Sequence, residues 1–396
     1  MKHLAALIMT LALARVFAAD PVLPVFEAQE IDSKVAIGYG LAIGDVDGDG
    51  KPDILLADKT QIVWYHNPDW TRYVICENVT KQDNVCIAAR DIDGDGKVEV
   101  AIGANWNPGD TLTSGSVHYL IAPTDRKQKW EVVNLPNEPV IHRMKWIKDG
   151  DKFKLVVVPL HGKGNKGGAG AGVKVLAYVP PSPLTAESAK KEWKLETMDD
   201  TMNVTHNFDI VPAIKDSIES VLLGGKQGIH HLTEDAGTWK AETVADHTKG
   251  DKPLNGVGEI RWGFFEKKSG FVATVEPFHG NQLCVYLDGA KQRVVLDESL
   301  KEGHALACAD LAGAGYTQIV CGWRNPNAAG KVGINIYTRA DEAGTKWDKT
   351  VLDDNTMACE DLTVADLNGD GKLDIIAAGR ATHNVKIYWN KGSAAK

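Results

Sequence analysis

Two columns of ionisable residues can be drawn through this sequence, and their composition suits proton transfer beside anion binding. The reference points are four acidic decapeptides: "DVDGDGKPDI" from Asp45, "DIDGDGKVEV" from Asp91, "DLNGDGKLDI" from Asp366 and a worn "DLAGAGYTQI" from Asp310. Six residues before them stand Tyr39, Val85, Glu360 and His304. Three stretches that lack the acidic loop but keep its flanking pattern place His142, His206 and Glu259 there. Beyond the loops a second column holds Lys59, Asn105, Arg380 and Arg324, continued by His161, Lys226 and His279. Neighbouring motifs add Arg143, Arg261, Glu276, Asn281, His383 and Asn384, with His230 and His231 in "QGIHH".

Histidine takes and returns protons near neutral pH. Arginine grips carboxylates in a fork and stabilises an enolate-like charge. Together they suit β-elimination from an acidic or oxidised (keto) sugar in one concave site. The expected catalytic group is His142, Arg143, His206, His304, Arg324, Glu360, Arg380 and His383, with His206 or His304 as base. The expected substrate-binding group is His161, Lys226, Glu259, Arg261, Glu276, His279, Asn281 and Asn384. Trp64, Trp106, Trp262 and Trp323 are read as apolar platforms for sugar rings. The stretch "HGKGNKGGAGAG" reads as a mobile lid or an anion-binding nest, and no GK[ST] follows it. Three other readings stand beside elimination. They are a non-catalytic, calcium-stabilised carbohydrate- or protein-binding module, glycoside hydrolysis by two of Glu259, Glu276 and Glu360, and a divalent metal held by funnel histidines.

The acidic loops themselves offer hard oxygen ligands at offsets 0, 2, 4 and 8, with glycines that let the backbone curl. Calcium is the expected ion. Its ligands would be Asp45, Asp47, Asp49 and Asp53; Asp91, Asp93, Asp95 and Glu99; and Asp366, Asn368, Asp370 and Asp374. The competing reading is a plain Asp–Gly turn, which fits the worn copy. An enzyme needs one site, so several copies point to scaffolding.

The elements that must position the columns recur with the loops. A short strand enters each loop and an apolar strand leaves it. An aromatic-rich strand follows, then a fourth that often carries Trp. Seven such units recur roughly every 45–65 residues, which predicts an all-β, seven-bladed propeller of four-stranded antiparallel blades. The last unit lacks a fourth strand, and "PVLPVFEAQEI" is expected to supply it from the N-terminus, closing the exposed edge. Because first and second strands are antiparallel, both columns fall on the face opposite the acidic loops. Two sandwich domains would need a linker, and none is visible.

The 396 residues carry a net charge of −9, which disfavours nucleic acid. The opening "LAALIMTLALARVFA" and Ala18–Ala19 read as a signal peptide over residues 1–19, leaving one domain over 20–396 and a secreted or periplasmic location. No later stretch is long and apolar enough for a membrane span. The six cysteines lie in apolar, strand-like runs and read as buried hydrophobes. A Cys76–Cys86 bridge is the alternative in an oxidising compartment.

The repeated loop resembles the FG-GAP or VCBS repeats of extracellular propellers, which implies that each loop joins the first and second strands of a blade. "EPFHGNQLCVY", "GHALACADLAG", "MACEDLTVADLNGDGKLDIIAAGRATHNVKIYWN" and "VVPLHGKG" resemble the propeller domain of the aldos-2-ulose dehydratases and the related propeller lyases of rhamnose–glucuronate linkages. The resemblance implies elimination at sugar carbons, a carbohydrate substrate and a metal in the architecture. The dehydratases carry added cupin domains. The last blade here is followed by none, which favours a stand-alone propeller lyase or dehydratase.

Overall fold

The second strand of each blade is apolar almost without a break, and burial explains it. Every residue of Asp53–Ala57, Glu99–Ala104, Gln318–Trp323 and Asp374–Gly379 is buried. A strand covered on both faces reads as a continuous apolar run. Here the covers are the two adjacent blades. The cluster of Leu55, Trp64, Ile87, Val100 and Trp130, for example, draws on two consecutive repeats.

The computed structural model describes residues 23–213, 218–249, 254–266 and 269–392. The leader read in residues 1–19 lies outside them. Among the described residues, strands run from β1 (Phe26–Asp32) to β28 (Asn384–Asn390) in chain order. They form seven four-stranded antiparallel sheets. Six sheets are built from consecutive strands. The seventh has the order β1-β28-β27-β26, where β26 is Cys359–Ala365 and β27 is Asp374–Gly379. The N-terminal strand therefore closes the ring, with Phe26 opposite Asn390 and Glu30 opposite Lys386. Such closure removes the free edges of an open array.

The first strands line the axis: β2 (Gly40–Gly44), β6 (Cys86–Arg90), β10 (Ile141–Asp149), β14 (Thr205–Val211), β18 (Ile260–Glu266), β22 (Gly303–Ala309) and β26. Each touches the next, and β26 touches β2. The acidic loops join first to second strands, as expected. All six cysteines are free, so the Cys76–Cys86 bridge does not form. No helix among the described residues is long and apolar enough to cross a membrane.

Two histidines far from the axis set an acid limit on stability. His118 is buried between Asn134 and Ser116, and His247 is buried against the Tyr286 hydroxyl. Burial lowers both pKa values. The unfolded chain therefore binds more protons as pH falls through the ordinary histidine range. The stability that these groups contribute is present above that range and is lost toward acid. The melting temperature, measured with calcium present, is expected to fall from pH 7 to pH 5. His118→Asn should flatten that slope. An unchanged slope in the variant would refute the assignment.

Candidate functional site

The first column reaches the axis because four inner strands break register where it falls. The interruptions lie between Ile141 and Arg143, Thr205 and Phe208, Gly303 and Ala305, and Cys359 and Asp361. The skipped residues include His142, His206, His304 and Glu360. A bulge leaves an extra residue unpaired and re-aims its side chain. Two of these residues then tie blade to blade. His142 Nδ1 donates to the His206 carbonyl at 2.8 Å, and His304 Nδ1 donates to the Glu360 carbonyl at 2.6 Å. Both rings are thereby held with Nε2 as the lone-pair nitrogen.

His279, from the loop after β19 (Ser269–Glu276), meets this row from the second column. Its Nε2 lies 2.5 Å from His206 Nε2. Arg324 approaches its Nδ1 at 3.4 Å. Arginine only donates, so His279 Nδ1 accepts and its Nε2–H points at His206. That places the His206 proton on Nδ1, which lies 3.5 Å from Glu259 Oε1. Neither atom has a hydrogen-bond partner, so Glu259 meets the imidazole pair as a close carboxyl group and not as a hydrogen-bonded third member. The His279 and His304 ring centres are 4.6 Å apart, and Trp106 stacks on His142 at 5.0 Å.

The electrostatics keep these imidazoles neutral. Burial, then neighbouring positive charge, holds His142, His206 and His304 well below the ordinary histidine range. His279 is lowered to about 3 by burial, then by Arg324, Arg143 and Arg380. Burial pushes Glu259 up, against Arg261 at 3.3 Å and an Asn207 amide at 2.6 Å. Glu360 is fully engaged. Arg324 Nη1 is shared between both its oxygens at 3.0 and 2.9 Å, Arg380 adds a bond at 3.0 Å, and Arg324 Nε also reaches Glu302 at 2.9 Å.

Of the residues expected at the site, the structure brings together His142, Arg143, His206, His304, Arg324, Glu360, Arg380, Glu259, Arg261 and His279. Others are engaged elsewhere. Lys226 reaches the Gly167 carbonyl at 3.4 Å, and His161 bridges to Val204 beside the same loop. His383 holds the Val35 carbonyl, Asn281 the Glu298 carbonyl, and Asn384 contacts Glu30 and Thr356. Glu276 must be corrected. It still belongs to β19, and it is fully buried inside its blade against Thr274, Tyr286 and Arg293. That placement, with Glu360 clamped by two arginines, leaves no free carboxylate pair among the three glutamates considered for glycoside hydrolysis. His230 and His231 also stay in their sheet, bonded to Asp199 and Ser220. Of the four tryptophans, Trp64 and Trp323 are core residues and Trp262 packs over Gly270, so Trp106 alone of the four stacks on a funnel histidine. The glycine-rich loop is ordered around buried Asn165, which bonds Ala171, Asn203 and Gly168.

Sequence reasoning missed Asn207, Asp361, Lys145, Asp209 and Glu302. The first four follow a column residue by one or three positions. Strand alternation would turn them away from the axis, but each bulge reverses that parity. A bulge leaves no clear residue signature, so no local pattern marked them.

On the opposite face, Asp45 accepts the Gly48 and Gly50 amides, both at 2.7 Å, and those glycines adopt φ of +85° and +84°. Asp91 and Asp366 repeat this arrangement. Oxygens of Asp45, Asp47 and Asp53 lie within 4.8 Å of one another, as do those of Asp91, Asp93 and Glu99. One buried Asp47 oxygen has no partner. Burial pushes Asp53 and Glu99 up to about 7. Crowded carboxylates with an orphan oxygen fit a hard cation. The worn loop shows what the turn needs without one. Asp310 still caps Ala314 and Gly315, while a neutral Gln318 takes the Leu311 and Ala312 amides.

Comparison with known proteins agrees with this architecture. Residues 114–289 match the family model described as the β-propeller domain of aldos-2-ulose dehydratase. Residues 45–102 match an FG-GAP-like repeat. Aldos-2-ulose dehydratase of Phanerodontia chrysosporium is 24% identical over 291 residues, covering 66% of this chain and 31% of that protein. The chain therefore spans about a third of the relative's length. In fold it is similar to a chain of the mitotic checkpoint complex, with a TM-score of 0.55 at 10% identity, covering 98% of this chain and 97% of that one. It is also similar to BBS1N solved in complex with ARL6DN, with a TM-score of 0.56 at 12% identity, covering 95% and 98%. At these identities the structures speak for the fold alone.

Proposed function

We propose that this chain is a sugar lyase or dehydratase that performs β-elimination in the axial funnel. The observation that carries the reading is the neutral His206–His279–His304 group, anchored by the Glu360 carbonyl with Glu259 beside it, and with Arg143, Arg324 and Arg380 around it. Similarity to the propeller of a sugar dehydratase supports it. In the reaction, an imidazole takes the proton α to the sugar carbonyl or carboxylate. The electron pair forms a carbon–carbon double bond, and the β oxygen leaves with a proton. Arginine stabilises the enolate-like charge between those events. His304 is the better placed base, because its Nε2 has no hydrogen-bond partner among the described residues, whereas His206 Nε2 is engaged by His279.

The same imidazoles could serve differently. His206, His279 and His304 present ligand atoms within 4.8 Å of one another, and the backbone-anchored Nδ1–H of His304 is the arrangement that orients a metal-binding histidine. A divalent ion held there would polarise the substrate carbonyl. Metal analysis of the purified protein, read with a His279→Ala variant, separates the two roles. Stoichiometric metal lost in the variant assigns a ligand set, and a metal-free active protein assigns acid–base work.

The test of the function is the ultraviolet absorbance of a new conjugated double bond, followed with uronic-acid polysaccharides and keto-sugars. A rising signal supports elimination. A flat trace with saturable glycan binding would move the reading to a recognition propeller.

The acidic loops are proposed to bind calcium for stability, and the chain to work outside the cytoplasm, where calcium is plentiful. A ligand at a hundredfold its Kd stabilises by about 2.7 kcal/mol. Chelation is therefore expected to lower the melting temperature measurably, and added calcium to restore it. Asp53→Asn should blunt the response, and Gln318→Ala should leave it intact. Identical melts with and without chelator would refute the proposal.

A further inference from the structure

Outside the funnel, one further cluster of metal-binding side chains among the described residues includes a histidine, and it lies on the opposite face at the first acidic loop. His66 ends β4 (Gln61–His66), beside the strand that leaves that loop. Its ring meets the buried Trp64 edge-on at 5.8 Å. Carboxylates flank both of its nitrogens. Nδ1 lies 3.2 Å from Asp69 Oδ1, and Nε2 lies 3.4 Å from Asp47 Oδ2 and 3.9 Å from Asp49 Oδ2. A carboxylate only accepts, and a neutral imidazole has one N–H. The shorter contact, to Asp69, takes it. The Nε2 lone pair then faces two carboxylate oxygens, and an electrophile belongs between them. A second ring proton would serve one of these contacts and leave the buried Asp47 Oδ1 without a partner. Lys51 reaches Asp49, at 3.3 Å, from a largely exposed position. A divalent ion serves the group together, and Asp45 and Asp53 bring oxygens within 4.8 Å of that of Asp47. The other two intact loops lack the nitrogen. Tyr65, Leu120 and Tyr388 share one register position on their third strands, and the residues after them are His66, Ile121 and Trp389.

We propose that the first loop is a mixed nitrogen–oxygen site for a divalent transition ion, of which manganese(II) is the probe, and that His66 is the ligand that sets it apart from the two all-oxygen loops. Imidazole suits transition ions, whereas an all-oxygen set suits calcium. The Asp69–His66 pair repeats the carboxylate–histidine arrangement that orients a metal ligand and raises its basicity. The inference rests on the reading that the acidic loops bind cations, and it divides those loops into two chemical classes.

The test is calorimetric titration of the chelator-stripped full chain with calcium, and then with manganese(II) in saturating calcium. A His279→Ala background disables the funnel histidines as a competing site. One manganese ion is expected to bind per chain despite the calcium, and its electron spin-echo spectrum should carry imidazole nitrogen coupling. His66→Gln replaces the ring nitrogen with an amide that offers an oxygen. It should weaken manganese binding at least tenfold and leave calcium affinity unchanged. Asp69→Asn should weaken manganese binding by about tenfold or more. Asp69 is 61% exposed, so this second variant keeps the test decisive if His66→Gln does not fold. Unchanged manganese affinity in the variants, absence of nitrogen coupling, or equal loss of manganese and calcium would overturn the site. Calcium held at all three intact loops, with no manganese taken up, would also overturn it and leave the calcium reading standing. Binding of neither ion would overturn both.

Discussion

Arg324→Met is expected to lose about 3–5 kcal/mol of folding stability, because it strands a buried carboxylate. Glu360 is 1% exposed, and Arg324 Nη1 reaches both of its oxygens, while Arg380 supplies one bond from a more open position. Taking one partner away leaves the charge desolvated and partly paired. Removing both charges is a different matter. Arg324→Met/Glu360→Met should recover much of the loss, since an apolar pair of similar volume carries no desolvation penalty. Urea denaturation of the single and double variants checks this. A double variant as unstable as the sum of its singles would show that the ion pair has no coupling and that Arg324 is held for another reason.

His304→Ala is expected to lower turnover by about 10²–10⁴-fold, the range for removal of a positioned acid or base. It also removes the inter-blade hydrogen bond to the Glu360 carbonyl, at about 1–3 kcal/mol of stability, so turnover is compared at a temperature where the variant is folded. Glu259→Gln should give a smaller loss. It keeps the size of the side chain but removes the charge opposite His206 Nδ1, so its effect acts through the orientation of His206. Full activity in His304→Ala would exclude it as base and pass that role to His206. Inactivity of both histidine variants together with loss of bound metal would favour the ligand role over acid–base work.

Much of the fold was legible from the chain. The spacing of the Asp–Gly loops, the unbroken apolar second strands and the unassigned N-terminal strand each follow from rules local to a blade. The loops mark a strand-to-strand turn, continuous burial marks a sheet covered on both faces, and the missing strand follows from the need to close an edge. The two columns were legible for the same reason, since antiparallel first and second strands bring their start and end to one face. Glu276 and His230 misled because they were placed by nearness in sequence to a loop, although they still belong to strands and obey strand parity.

The sequence by itself thus determined the seven-bladed closure, the acidic-loop face and the residue types at the opposite mouth, since these depend on repeated local pattern. Only the tertiary structure decided which of those residues meet. His206, His279 and His304 come from three different blades, and their separation is set by how seven sheets pack around an axis. The bulges beside Arg143, Asn207 and Asp361 are likewise seen only in the pairing of first with second strands, and no residue pattern of their own marks them.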